Sequence, residues 1–324
     1  MNQMYAHARF KRFLSLFKAA VATVGKHFYL ILFPFVLDLF LLFGPRLSLS
    51  KMLNPLIMAL PPVPNFTSQF NIRWDEFLKQ FTEIIDGFNL FSALRTIPVG
   101  IPSLMSQRLG ENAFAGSLNP IELSGFGSAL ISFAGLVLIG LFLVAIYYRQ
   151  VSKTVRSETT QDALKNQPFL KAYLNLVGMN ISVWVLVIVL AIPSTIILGL
   201  LLRLSSVLGN IAYMIISILI LSFVTPLIFT PHFALSTQCS IRQAVMQSIR
   251  LTRKSGILTS TFIVIAISLS YLTNLLWNTA PNSSPFVLVG IFGHALVSTI
   301  LLAASFHFIV WLEEDETAAQ PIIS

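Results

Sequence analysis

The first residue with chemical potential is an acid inside an oily run. Asp38 lies in the stretch 28–43, which holds no other charged side chain. A carboxylate in hydrocarbon is costly unless it is protonated or paired. His294 lies in a second apolar run, 287–311. At 1.5 Å per helical residue, Asp38 sits about 15 Å in from the start of its run and His294 about 10 Å from the opposite boundary. These depths allow contact, so an Asp38–His294 pair is expected, either as a buried hydrogen bond that fixes helix order or as a proton or ion relay. Gly290, His294 and Ser298 share one helical face of small or polar residues, which suits close helix packing.

No other constellation points to catalysis. His7, His27, His232 and His307 form neither His-x-x-His nor His-Glu-x-x-His, so no metal site is expected. Gly-x-Ser-x-Gly, Gly-x-x-x-x-Gly-Lys and Gly-x-Gly-x-x-Gly are all missing. The sequence therefore reads as non-enzymatic, with no catalytic residues and no cofactor. Cys239 is the single cysteine, which excludes an internal disulfide.

The elements that must hold these residues follow from hydropathy. Of the 324 residues, 55% are hydrophobic and 10% are charged, whereas a soluble domain carries about a quarter charged residues. Six apolar runs stand out, at 28–43, 126–148, 181–202, 207–229, 257–277 and 287–311. Five are long enough to cross roughly 30 Å of hydrocarbon as helices, and the first is short. The expected fold is an all-α polytopic membrane protein of six transmembrane helices. Its divisions are a basic segment 1–27, a membrane domain 28–311 with an outer loop 44–125, and an acidic tail 312–324. The run 28–43 ends in Gly44-Pro45-Arg46 without a small-x-small site, and reads as a retained span.

Cations set the expected orientation. The net charge of +8 is concentrated beside the apolar runs, where it meets lipid headgroups rather than nucleic acid. Arg9, Lys11, Arg12 and Lys18 precede the first span; Arg149, Lys153 and Arg156 follow the second; Arg242, Arg250, Arg253 and Lys254 precede the fifth. These segments, and both termini, are placed in the cytoplasm of a cell with an inner membrane. Tyr147, Tyr148 and Trp311 at inner ends and Trp277 at an outer end fit aromatic belts.

Within the outer loop, Trp74, Phe77, Leu78, Phe81, Ile84, Ile85 and Phe88 recur at helical spacing. This amphipathic face either lies on the bilayer or docks a partner protein. Pro61, Pro62, Pro64, Pro98 and Pro102 punctuate the region.

In-plane amphipathic helices are also expected before spans. Phe10, Phe13, Leu14, Phe17 and Val21 share a face opposite Arg9, Lys11, Arg12 and Lys18. Ile241, Ala244, Val245, Ser248 and Ile249 share one opposite Arg242, Gln243, Gln247 and Arg250, after a Ser240-x-x-Gln243 capping box. A middle stretch, 160–174, is interrupted by Pro168. Together these suggest three parallel repeats, each an in-plane helix followed by a helical hairpin.

The stretch Ser240-Ile-Arg-Gln-Ala-Val-Met-Gln-Ser-Ile-Arg-Leu-Thr-Arg-Lys-Ser-Gly256 resembles a recurring segment of bacterial membrane proteins that include the YciC-like family and the membrane domain attached to some glycerophosphodiester phosphodiesterases. The resemblance spans 174–311 in hydropathy and implies a six-helix membrane module without an assigned reaction. The leading expectation is a non-enzymatic module that organises membrane lipids or a protein partner, a second copy of itself included. The alternative is a transporter or permease component whose polar path runs by Asp38 and His294, with Asn180, Asn210 and Asn274 along it.

Overall fold

The computed structural model describes residues 2–62, 73–108, 120–159, 168–236, 239–281 and 284–318, with side chains described from Phe13 to Asp315 except Ser236. Within them run the helices α1 (Asn2–Lys26), α2 (Leu32–Phe43), α3 (Ser50–Met58), α4 (Trp74–Gly87), α5 (Phe126–Thr159), α6 (Phe169–Leu204), α7 (Ser206–Val224), α8 (Thr230–Ser236), α9 (Ile241–Lys254), α10 (Gly256–Trp277) and α11 (Phe286–Ala318). Two short strands, β1 (Leu47–Ser48) and β2 (Ile121–Glu122), pair in parallel, Leu47 with Ile121 and Ser48 with Glu122. They close the neck of the long connection between α2 and α5. The chain is an all-α polytopic protein.

Five helical stretches are long and apolar enough to cross a membrane: Phe126–Thr159, Phe169–Leu204, Ser206–Leu235, Gly256–Trp277 and Phe286–Asp315. The first expected span, 28–43, is the second arm of a bent pair, Phe13–Lys26 and Phe28–Phe43, that turns by 93°. The bend falls at His27, whose backbone (φ −118°, ψ 55°) leaves the helix before a 3₁₀ turn over Phe28–Ile31. Its cause is a change of solvent preference: the lysine-bearing helix stays amphipathic, whereas 28–43 is apolar. Pro34 sits in the first turn of α2, where the missing N–H costs nothing.

The core gathers around α11. Phe308 stacks on Phe262 of α10 at 4.6 Å and meets Phe13 of α1 edge-on at 6.5 Å. Thr23 of α1 hydrogen-bonds Glu158 of α5 (2.5 Å) and His307 of α11 (3.0 Å), while Lys26 pairs with Glu158 at 3.3 Å. Arg156 pairs with Glu313 at 3.1 Å. The acidic tail thus begins with a residue that answers a cation on α5.

Packing rotates the α1 face from its expected position. Phe13, Leu16, Ala20, Thr23 and Val24 are buried, whereas Leu14 and Val21 are 48% and 53% exposed. The helix uses small residues, Ala20 and Thr23, to approach α11 closely. Tyr147 and Trp311 also depart from expectation, since both are buried. Other helices cover them, and no lipid headgroup reaches them. Tyr147 bonds Thr299 at 2.9 Å, and Thr299 itself donates to the Ala295 carbonyl. Tyr147→Phe is expected to cost about 1 kcal/mol, the net worth of one buried hydrogen bond, read as a shift in an equilibrium detergent-unfolding curve.

The three-repeat pattern does not hold across the chain. Among the described residues, only α9 followed by the α10–α11 pair keeps the expected order of a short helix and a helical hairpin. In the middle unit Pro168 is the N-cap of one continuous helix, α6, and no separate amphipathic helix precedes it among the described residues. In the first unit α2 packs on α11 rather than forming a hairpin with α5. Residues 160–167 of the middle stretch, and Pro64, lie outside the described residues.

Candidate functional site

Asp38 is fully buried on α2, and its carboxylate is saturated by a loop. Oδ1 accepts from the Ser103 hydroxyl (2.5 Å) and the Met105 N–H (2.9 Å), and Oδ2 accepts from the Leu104 N–H (2.9 Å). The acid caps the 3₁₀ turn Met105–Gln107, whose first N–H groups have no partner within the turn. Ser103 Oγ also accepts from the Ser106 N–H at 3.0 Å. No hydrogen bond joins Asp38 to His294 among the described residues, and His294 Nε2 is buried without a hydrogen-bond partner. The expected pair is therefore corrected: the hydrogen-bond partners of Asp38 are Ser103, Leu104 and Met105 of the loop, because three donors of that segment converge on its carboxylate.

The loop is inserted rather than laid on top. Leu90, Leu94, Val99, Ile101, Leu104 and Met105 are all buried. A Cβ on Gly140 would collide with the Leu94 carbonyl and the Thr96 side chain. Gly140 lies fourteen residues into α5, about 21 Å from its start at 1.5 Å per residue. Non-helical backbone at such depth is tolerated only where protein surrounds it or a cavity adjoins it. Each turn of this loop is accordingly bonded. Thr96, at φ 56°, directs its hydroxyl to the Val99 carbonyl (2.5 Å), and the Ile101 N–H returns to the Arg95 carbonyl (3.0 Å). Gly100 is required there, since a side chain would meet the carbonyls of Arg95 and Thr96.

Two further helices hold the loop from its flanks. Asn180 Nδ2 and Trp184 Nε1, both on α6, donate to the Ile97 carbonyl at 3.0 Å each. Arg108 donates to the carbonyls of Trp277 (2.8 Å) and Ala280 (2.9 Å) and to Asn278 Oδ1 (2.9 Å), so it closes the C-terminal end of α10. Arg95 donates to Ser106 Oγ at 3.3 Å. Burial works against its charge, and Asp38 is the neighbouring charge that favours it.

Between this loop, α5 and α6 lies a cavity of about 750 Å³. The α5 wall is wholly apolar, with Phe133, Val137 and Leu141 among its residues, while the loop wall carries Arg95, Thr96 and Ser106. Asn180 and Trp184 complete it from α6.

The other expected positions are dispersed. Asn274 approaches Gln107 at 3.5 Å and Asn210 is exposed near the α6–α7 turn, so with Asn180 they form no common path. On α4, Trp74, Phe77 and Phe81 stack in series at 5.4 and 5.8 Å. Phe81 and Ile84 are exposed, Ile85 is buried, and Phe88 lies beyond the helix against the core. On α9, Ser240 and Gln243 make the reciprocal capping box, and Arg242, Arg250, Arg253 and Lys254 are exposed. Lys18 of α1 is exposed; Arg9, Lys11 and Arg12 belong to α1, but their side chains lie outside the described residues. Among the described residues no group of three or more His, Cys, Asp or Glu could hold a metal ion.

Sequence reasoning missed Arg95, Ser103, Leu104, Met105 and Trp184. The available signal was an apolar loop, Ile97-Pro-Val-Gly-Ile-Pro102, too oily for solvent and too rich in proline and glycine for a helix. Compared with protein-family models, curated proteins and solved structures, the chain finds no match in any of the three.

Proposed function

We propose that this chain is a non-enzymatic membrane module that organises anionic lipid at the cytoplasmic face of an inner membrane, with both termini on that face. The observation that carries this reading is the build of α9. Ala244, Ser248, Leu251 and Thr252 are buried against the protein, and the opposite side exposes Met246 together with Arg242, Arg250, Arg253 and Lys254. Ser248 Oγ fastens the helix to the Pro226 carbonyl at 2.7 Å. An apolar tip among cations suits the boundary between acyl chains and anionic headgroups. The most apolar stretches of α6 and α7 carry no buried residue, so they offer wide surfaces to lipid. The stripe of Trp74, Phe77 and Phe81 suits the opposite bilayer surface.

The permease alternative draws no support from Asp38, whose oxygens are committed to the inserted loop. The lipid reading is tested by reconstitution into nanodiscs of mixed phosphatidylglycerol and phosphatidylcholine. A cation near an anionic leaflet gains roughly 1 kcal/mol, so replacing the four α9 cations by glutamine is expected to abolish enrichment of a fluorescent phosphatidylglycerol around the protein. Undiminished enrichment overturns the reading. A cysteine at position 250 that is labelled from outside intact cells would invert the orientation.

A further inference from the structure

We propose that the cavity between the inserted loop, α5 and α6 is a binding site for one anionic phospholipid, with an acyl chain on the α5 wall and the phosphate on Arg95. This goes beyond the surface reading, since the site is a groove between the loop, α5 and α6 and uses none of the α9 cations. Three observations carry it.

The cavity volume, about 750 Å³, falls within the roughly 300–1,000 Å³ of ligand sites.

Its walls differ in chemistry. From α5 come Phe133, Val137, Leu138 and Leu141, which offer an acyl chain contact but no hydrogen bond. From the loop come Arg95, Thr96 and Ser106. Thr96 spends its hydroxyl on carbonyls of its own turn, Ser92, also in the lining, spends its hydroxyl on the Asn89 carbonyl, and Ser106 spends its hydroxyl on the Ser103 carbonyl while accepting from Arg95. Arg95 is thus the wall's polar group with capacity to spare.

The spare capacity is cationic. A guanidinium has five N–H donors, and among the described residues the single hydrogen bond from the Arg95 side chain goes to Ser106. No carboxylate forms an ion pair with it among the described residues, because the nearby Asp38 holds three other donors. A charge taken out of water without a bonded counter-ion is unfavourable. A phosphate accepts two parallel N–H bonds from a guanidinium, which a neutral headgroup cannot match. An oily wall opposite an underused cation therefore selects an anionic amphiphile. The loop's anchors, Asp38 on one side and Asn180 with Trp184 on the other, hold Arg95 in place for it.

The test uses the full chain in mild detergent, delipidated and then incubated with phosphatidylglycerol, phosphatidylcholine or oleate, with bound molecules counted by native mass spectrometry. The expected result is one phosphatidylglycerol retained per chain. Arg95→Gln should weaken retention at least tenfold, and Ala134→Phe, which fills the cavity from the opposite wall without touching the loop's hydrogen bonds, should do the same. Neutralising the four α9 cations should leave this single molecule in place, which separates failure of the site from failure of the surface reading. Equal retention of phosphatidylcholine, retention of oleate alone, or undiminished phosphatidylglycerol in a folded Ala134→Phe protein would each overturn the proposal.

Discussion

Asp38→Ala is expected to release the inserted loop and to destabilise the protein by about 3 kcal/mol or more, since hydrogen bonds to a charged group are each worth roughly 1.5–3 kcal/mol and their loss strands buried donors. The Leu104 and Met105 N–H groups and the Ser103 hydroxyl all lose their acceptor at once. Water does not easily replace it, because Ser103 and Leu104 are fully buried. The loss is read in two ways: as a lower midpoint of unfolding in a denaturing detergent, and as faster tryptic cleavage after Arg95 and Arg108. Asp38→Asn keeps acceptor oxygen on one side and should fall between the two. His294→Ala should leave loop cleavage unchanged, and its effect should add to that of Asp38→Ala, as for sites that share no hydrogen bond. A strong departure from additivity would restore the direct pair.

Gly140→Val is the second large effect expected, because it acts on the same loop from the other wall. The added side chain meets the Leu94 carbonyl and the Thr96 side chain. A backbone carbonyl held in a tight turn cannot move aside as a flexible side chain would, so either the loop leaves its seat or α5 shifts. Overpacking of this kind typically costs about 1–3 kcal/mol, and here the Arg95–Ile101 turn is placed at risk as well. The expected readout is tryptic cleavage after Arg95 at a rate close to that of Asp38→Ala. Gly135→Val on the same helix is the control, since a Cβ there meets nothing within 4 Å. If both glycine variants behave alike, the loop does not lean on Gly140.

These expectations share one physical basis. The protein brings irregular backbone, Ile97 to Arg108, into a region where helices are the default. It does so with groups from four helices: the Asp38 carboxylate accepts from N–H groups, the Asn180 and Trp184 side chains donate to a carbonyl, Gly140 makes room by having no side chain, and the Trp277 backbone carbonyl receives Arg108. Arg95 is fixed within that framework as a cation facing an oily wall.

Much of the architecture was legible before any coordinates. Low charge and long apolar runs follow directly from composition, because helix length and hydrophobic thickness share one scale. The capping box at Ser240 and Gln243 was readable for the same local reason: two residues three positions apart, within one helical turn, form it. The unusual cost of Asp38 was also readable, but its partner was not. Depth along two helices ranks His294 as a neighbour, yet depth carries no information about which loop folds between those helices.

Sequence by itself thus determined that the chain is helical and polytopic and that Asp38 needs a partner, since each of these is a property of a short stretch of residues in its solvent. Tertiary structure alone decided that α1 turns by 93° into α2, that Tyr147 and Trp311 belong to the core, and that Ser103, Leu104 and Met105 serve Asp38. Those outcomes depend on contacts between residues far apart in the chain, such as the 65 positions that separate Asp38 from Ser103, and no local pattern encodes which distant donors will arrive.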